Sequence, residues 1–219
     1  MKKIILTLLA LSAILFGENL TTKNNQIILL LEGKIELNTK TCNDISPENV
    51  ENLITVLGEK DADNKLKELC AVGCGEACGR TVKGNYLNKK EFEKACNSKF
   101  PYGYACYTLS YNEKDEEKKF ELQDKGCKAG HSTGCYWMAG HFETDKNYGL
   151  ALKYYNIGCD MGDDQSCGEL GMVYATGKYG ETNPQKAYEY WNKSVQLNPN
   201  NVSKGNLKIL CRDNPSVCK

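Results

Sequence analysis

The stretch ALKYYNIGCDMGDDQSCGELGMVY, residues 151–174, carries the reading of the fold. Cys159 and Cys167 are eight apart, with Gly162 three after the first and the small Ser166 just before the second. The step recurs: Cys127 and Cys135 are eight apart, as are Cys70 and Cys78, and Cys96 and Cys106 show the same step widened to ten. From Cys127 to Cys159, and from Cys135 to Cys167, is 32 residues, a period that marks a solenoid of stacked supersecondary units. Gly73, Gly130 and Gly162 each follow a first cysteine by three, and Ala77, Ala105, Gly134 and Ser166 each precede a second. One further unit lacks its cysteines. Ala151-Leu152-x-Tyr154-Tyr155 returns as Ala187-Tyr188-x-Tyr190-Trp191, with Val195 and Ser203 at the places of Cys159 and Cys167.

The flanking segments read as helices. Asn183-Pro184 is an N-cap followed by a proline suited to the first helical position. Asn88 and Glu91 have capping-box spacing. Val50, Leu53, Ile54 and Leu57 follow Ser46-Pro47 at helical intervals, and Gly58 ends the run. From about Ser46 onward the expectation is short helices and turns without strands; Ile27 to Leu37 fits a short helix or a strand.

Eight residues of straight helix span about 12 Å, whereas a disulfide holds its Cα atoms about 4.4–6.8 Å apart. Cys127 can therefore meet Cys135 only if the chain reverses between them, the first cysteine closing one helix and the second opening the next. The repeat register pairs Cys70 with Cys78, Cys96 with Cys106, Cys127 with Cys135 and Cys159 with Cys167. Cys211 and Cys218 close the C-terminal end, and elimination leaves Cys42 for Cys74, although Cys74 competes with Cys78 for Cys70.

Such bridges require an oxidising compartment. Met1-Lys2-Lys3 followed by the apolar run Ile4–Phe16 has the form of a secretory signal, too short to span a membrane, with cleavage after Gly17. The expected organisation is a signal peptide over 1–17, an N-terminal segment and capping helix over 18–60, and a repeat domain over 61–219. The mature chain is expected to be secreted or periplasmic. Among 219 residues, 28 basic and 28 acidic side chains cancel, which argues against a nucleic-acid binder.

The 151–174 stretch, with Gly177 and Gln185-Lys186-Ala187, resembles Sel1-like repeats, relatives of the tetratricopeptide repeat. More narrowly it is similar to the Helicobacter cysteine-rich protein family. The resemblance implies an all-α, right-handed α-solenoid of disulfide-stapled helix-turn-helix repeats with a concave face. It also implies two kinds of activity, since that family is described both as penicillin-binding or β-lactamase proteins and as secreted interaction factors.

The residues favour the second. A serine β-lactamase needs Ser-x-x-Lys with Ser-Asp-Asn and Lys-Thr-Gly elements. The only Ser-x-x-Lys here is Ser216 to Lys219 at the terminus, straddling Cys218. His131 and His141, ten apart, lack zinc-site spacing. Cys70-x3-Cys74-x3-Cys78 has a metal-ligand look that the repeated disulfide step explains better. Carboxylates such as Glu116, Glu117, Asp163 and Asp164 read as solvated faces. No catalytic residue, metal ligand or cofactor is assigned. Tyr154, Tyr155, Tyr188, Tyr190 and Trp191 are mainly interhelix core, with some left to line a groove. The expected function is an exported binding scaffold for a peptide, a protein or a peptidoglycan-derived fragment, and β-lactams enter only through the alternative of a weak hydrolase.

Overall fold

The computed structural model describes residues 36–38, 41–42, 45, 47–79 and 88–218. The expected signal segment, the Ile27 to Leu37 segment up to residue 35, Ser46 and Lys219 lie outside these residues. Among the described residues there is no strand; one isolated parallel bridge joins Cys74 and Phe100. The chain divides into two compact units, one ending at Tyr102 and the other beginning at Gly103.

The first unit holds α1 (Pro47–Leu57), α2 (Glu59–Ala71), α3 (Gly75–Gly79) and α4 (Lys89–Cys96). Val50, Leu53, Leu66 and Leu69 meet Ile45 and the Cys42–Cys74 disulfide in one apolar cluster. Asn88 caps α4 by accepting from the Glu91 amide at 3.1 Å, while its own amide donates to Glu91 Oε2 at 2.9 Å. This reciprocal pair satisfies two of the amides that a helix start leaves without partners.

The second unit holds α5 (Gly103–Tyr111), α6 (Glu116–Lys128), α7 (Ser132–Thr144), α8 (Tyr148–Asp160), α9 (Asp164–Thr176), α10 (Pro184–Leu197) and α11 (Ser203–Asp213), closed by a 3-10 turn at Pro215–Cys218. Each helix packs on the next in the chain. Asp115, Asn147, Asp163 and Asn183 cap α6, α8, α9 and α10, each accepting from the amide three residues on. Asp163, expected on a solvated face, is 8 % exposed, because capping turns its carboxylate into the helix start. The all-α repeat architecture expected from the cysteine register is the one observed.

The reversal that joins a helix to its stapled neighbour has one recurring geometry. Gly162 takes φ +88° and donates to the Cys159 carbonyl, and the Asp163 amide reaches back to the Gly158 carbonyl at 2.9 Å. Gly130 and His131 repeat both bonds, as do Gly73 and Cys74, and Gly130 and Gly73 also have positive φ. These bonds satisfy the last carbonyls of the preceding helix and need a residue at ease in the left-handed region. The Cα atoms of Cys70–Cys78, Cys127–Cys135 and Cys159–Cys167 all stand 4.7 Å apart. Cys211–Cys218 and Cys42–Cys74 are each bridged at 5.6 Å. Cys96 and Cys106 are buried and disulfide-bonded, and no described cysteine is free.

Small residues beside the cysteines let the helices approach. A Cβ at Gly134 would lie 2.8 Å from the Cys127 amide nitrogen and 2.9 Å from the Gln123 carbonyl oxygen, both rigid helix backbone. Where α10 meets α11 there is no disulfide. Val195 is only half-buried; the buried partner of Ser203 is Ser194, at 2.9 Å. Ser194 Oγ also donates to the Asp164 carbonyl and accepts from Asn201 Nδ2. The turn from Asn198 to Val202 is longer than the glycine reversals, which moves the facing position by one residue, and hydrogen bonds take over the fastening.

Replacing Cys159 and Cys167 together by alanine is expected to lower unfolding stability by about 2–3 kcal/mol, the loop-closure contribution of a ring of roughly nine residues. Urea denaturation under oxidising conditions measures it, and an unchanged midpoint would show that packing alone sets the reversal.

Candidate functional site

The five aromatics singled out in the sequence are engaged between helices. Tyr155 is 3 % and Trp191 5 % exposed. Trp191 Nε1 donates to the Gly168 carbonyl at 3.0 Å, and its ring occupies the space where a Cβ at Gly171 would sit. Tyr154 stacks on Phe142 with centroids 5.3 Å apart and donates to Asp124 Oδ1 at 3.0 Å; burial, then this bond, pushes its phenol up to about 12. Tyr190 stacks on Tyr174 and donates to Asn156 Oδ1 at 2.8 Å. Tyr188 is half-buried against the Trp191 cluster. Two-atom handles at the ring tips explain the pattern: a tyrosine can fill an interhelix gap and still place its hydroxyl on a polar partner.

The exposed large side chains are others, and of these Tyr111 and Met172 fall at equivalent places. On α5, Tyr104 and Tyr111 are 47 % and 77 % exposed; on α7, Trp137 is 47 % exposed; on α9, Met172 is 37 % exposed. Counting from the second cysteine of each step, Thr108, Trp137 and Glu169 are two residues on, and Tyr111, Gly140 and Met172 are five on. Side chains three apart share a helix face, so these positions form matching outward strips on α5, α7 and α9. The sequence held this signal in the same register that revealed the cysteines, at positions whose exposure periodicity alone did not settle.

Beside Trp137 the strip meets a group of titratable side chains. Tyr136 lies edge-on to Trp137 at 5.6 Å and tilted to Tyr155 at 6.0 Å. Glu143, about two turns further along α7, accepts from Tyr155 Oη at 3.2 Å and Tyr179 Oη at 2.6 Å and is ion-paired with Lys178. Tyr179 in turn stacks on Tyr148, with centroids 4.6 Å apart. Burial raises the Glu143 carboxyl, but the hydrogen bonds from Lys178 and Tyr179 outweigh it, so the group ends below the ordinary carboxylate range. Burial, with the Glu143 charge, pushes the Tyr155 and Tyr179 phenols well up, and both stay neutral donors.

Glu169 on α9 faces the same group without sharing its bonds. It is half-buried, and among the described residues it has no hydrogen-bond or ion-pair partner. Burial first, then the neighbouring Glu143 charge, raises its carboxyl; Lys178 opposes this. A half-desolvated carboxylate next to another carboxylate costs stability, and such perturbed groups concentrate at functional sites.

The two histidines are held by other contacts. His131 lies between the rings of Tyr104 and Tyr107, and burial lowers its imidazole. His141 Nε2 is 3.0 Å from Gln123 Oε1. Ser216 sits in the 3-10 turn beside Cys218. Among the described residues no three His, Cys, Asp or Glu side chains converge as a metal site, and no helix is long and apolar enough to cross a membrane.

The molecule is thus a disulfide-stapled helical repeat protein with an aromatic and acidic strip on alternate helices. The Sel1 repeat family matches residues 133–163 and 165–199. These windows take in α7 with α8 and α9 with α10, so Cys159–Cys167 bridges the junction between two repeats. No curated protein matches the chain. Among solved structures it is similar to a Sel1 repeat protein from Oxalobacter formigenes, at 16% identity over 85% of this chain and 87% of that one, with TM-score 0.52. It is also similar to c5321, a protective antigen of uropathogenic Escherichia coli displaying an SLR fold, at 15% identity and TM-score 0.51 over 88% of this chain but 41% of that one. Likeness at this identity establishes the fold.

Replacing Glu169 by glutamine is expected to raise the thermal midpoint at neutral pH. A carboxyl raised by folding favours the folded state when protonated, and that advantage is lost as pH climbs through its folded value. The gain over the parent chain should therefore shrink as pH falls below the elevated value. A midpoint lowered at neutral pH would mean that Glu169 is a structural partner after all.

Proposed function

We propose that this chain acts outside the reducing cytosol as a rigid binding scaffold, and that the strip on α5, α7 and α9 holds a peptide or protein segment. The observation that carries the reading is Trp137. A tryptophan 47 % exposed on a helix held by a staple at its first turn forfeits burial that the neighbouring Trp191 obtains. Large aromatics on a pre-ordered surface make strong anchors, because little freedom is left to lose on binding. The disulfides and the signal-like sequence over residues 1–17 support export, and the cysteine register supports membership of the Helicobacter cysteine-rich group. Sel1-type repeats support an interaction role. A peptide or protein suits the mixed aromatic and polar positions of the strip.

Panning phage-displayed peptides on the oxidised chain should return binders that Trp137→Ala weakens by roughly tenfold to thirtyfold, the range of an interface anchor. Recovery of no binders, or of binders indifferent to Trp137, rejects the strip as the site. Nitrocefin incubated with the same preparation is expected to remain intact; turnover that survives rigorous purification would show that the scaffold reading is incomplete.

A further inference from the structure

We propose that the outer face of α11 docks an acidic amphipathic helix of another protein, with its carboxylates against Lys204, Lys208 and Arg212 and its apolar side chains over Gly205 and Ile209. This surface lies on a helix outside the strip of α5, α7 and α9, and its occupant is independent of a peptide held there.

The face follows from helix geometry. α11 packs on α10 and on the 3-10 turn, with Ser203, Leu207 and Leu210 turned toward them. On the other side Lys204, Lys208 and Arg212 are all exposed and follow one another at intervals of four. Each step of four advances only about 40° around a helix, so the three cations form one edge. Gly205 and Ile209, also four apart, form the neighbouring edge, with Val202 at its N-terminal end. Ile209 is 53 % and Val202 81 % exposed. Nothing lies within 4 Å of where a Cβ on Gly205 would stand. A helical glycine lowers stability relative to alanine, and no neighbour in the chain demands one here; it leaves the backbone open to close approach.

The preceding repeat covers the equivalent place. Ile209 is six residues after Ser203, as Val173 is after Cys167, whose place Ser203 holds. Val173 is 4 % exposed. A helix laid across Ile209 and Gly205 would restore that burial and continue the helix-on-helix packing of the unit.

Charge selects the occupant. Among the described residues neither the Lys204 nor the Lys208 ammonium has an ion-pair partner, and Arg212 pairs with adjacent Asp213 at 2.7 Å. Three cations and one anion leave α11 with two positive charges, in a chain whose 28 basic and 28 acidic side chains cancel. A second copy of α11 would bring like charges together, which disfavours symmetric pairing. A lipid surface calls for a broader apolar face than one isoleucine and one valine supply. An acidic helix answers both edges at once: carboxylates at intervals of four match the cations, and apolar residues beside them lie along the open edge.

The test is an NMR titration of the full oxidised chain with the blocked peptide Ac-Glu-Leu-Ala-Ala-Glu-Leu-Ala-Ala-Glu-Leu-Ala-NH2 and with its twin carrying glutamine at each glutamate. The acidic peptide should shift the Gly205 amide and the Ile209 and Val202 methyls. At low salt it should bind at least about tenfold more tightly than the twin, a gap that narrows as salt is raised toward about 0.5 M. The double variant Lys204→Gln, Lys208→Gln should bring the two peptides to equal affinity, whereas Lys153→Gln, exposed on α8, should leave the gap intact. Ile209→Ala should weaken both peptides. Equal binding by the parent chain overturns the proposal, as do a gap that survives the double variant, shifts confined to residues outside α11, and the absence of shifts up to millimolar peptide. Two further results overturn it by naming another occupant. One is co-sedimentation with vesicles of equal parts phosphatidylglycerol and phosphatidylcholine that the double variant loses, without preference between the peptides. The other is a dimer in sedimentation velocity that Ile209→Ala abolishes.

Discussion

Three cysteine pairs, each eight residues apart, hold their Cα atoms 4.7 Å from one another across a reversal that ends one helix and starts the next. That short distance is incompatible with continued helix, so the bridge and the positive-φ glycine before it impose the same condition on the chain by different means. The glycine lowers the local cost of turning; the disulfide removes open conformations from the unfolded ensemble. Helix directions within each unit follow from these reversals, and the side chains that face inward or outward follow from the helix directions.

Fastening and packing are separable in this protein. The α10–α11 turn reverses without a disulfide, held by buried Ser194 and Ser203 with Asn201 and the Asp164 carbonyl. Buried hydroxyls are tolerable because each finds a partner. The disulfides therefore strengthen a design that helix packing already specifies.

The face formed by α7 and α9 departs from that economy. Glu143 has three partners and stays charged, whereas Glu169, half-buried alongside, has none among the described residues. Trp137 stands open while Trp191 fills the gap over Gly171. Burial and the Glu143 charge raise the Glu169 carboxyl, and Trp137 remains 47 % exposed.

The sequence by itself determined the helical repeat, because an eight-residue cysteine step, a glycine at the third place and small residues at the crossing can be met together only by a tight reversal between helices. It also fixed the caps at Asn88 and Asn183, whose chemistry is local. Only the tertiary structure decided which aromatics are wall and which are surface. Tyr155 and Trp137 are both large aromatics in the sequence, yet one is turned between helices and donates to Glu143 while the other is left outside. It also decided that Ser194, and not Val195, faces Ser203, since turn length sets the facing register, and that Glu169 comes to lie beside Glu143 from a helix two elements away. Such long-range juxtapositions depend on how successive helices rotate against one another, which no local spacing encodes.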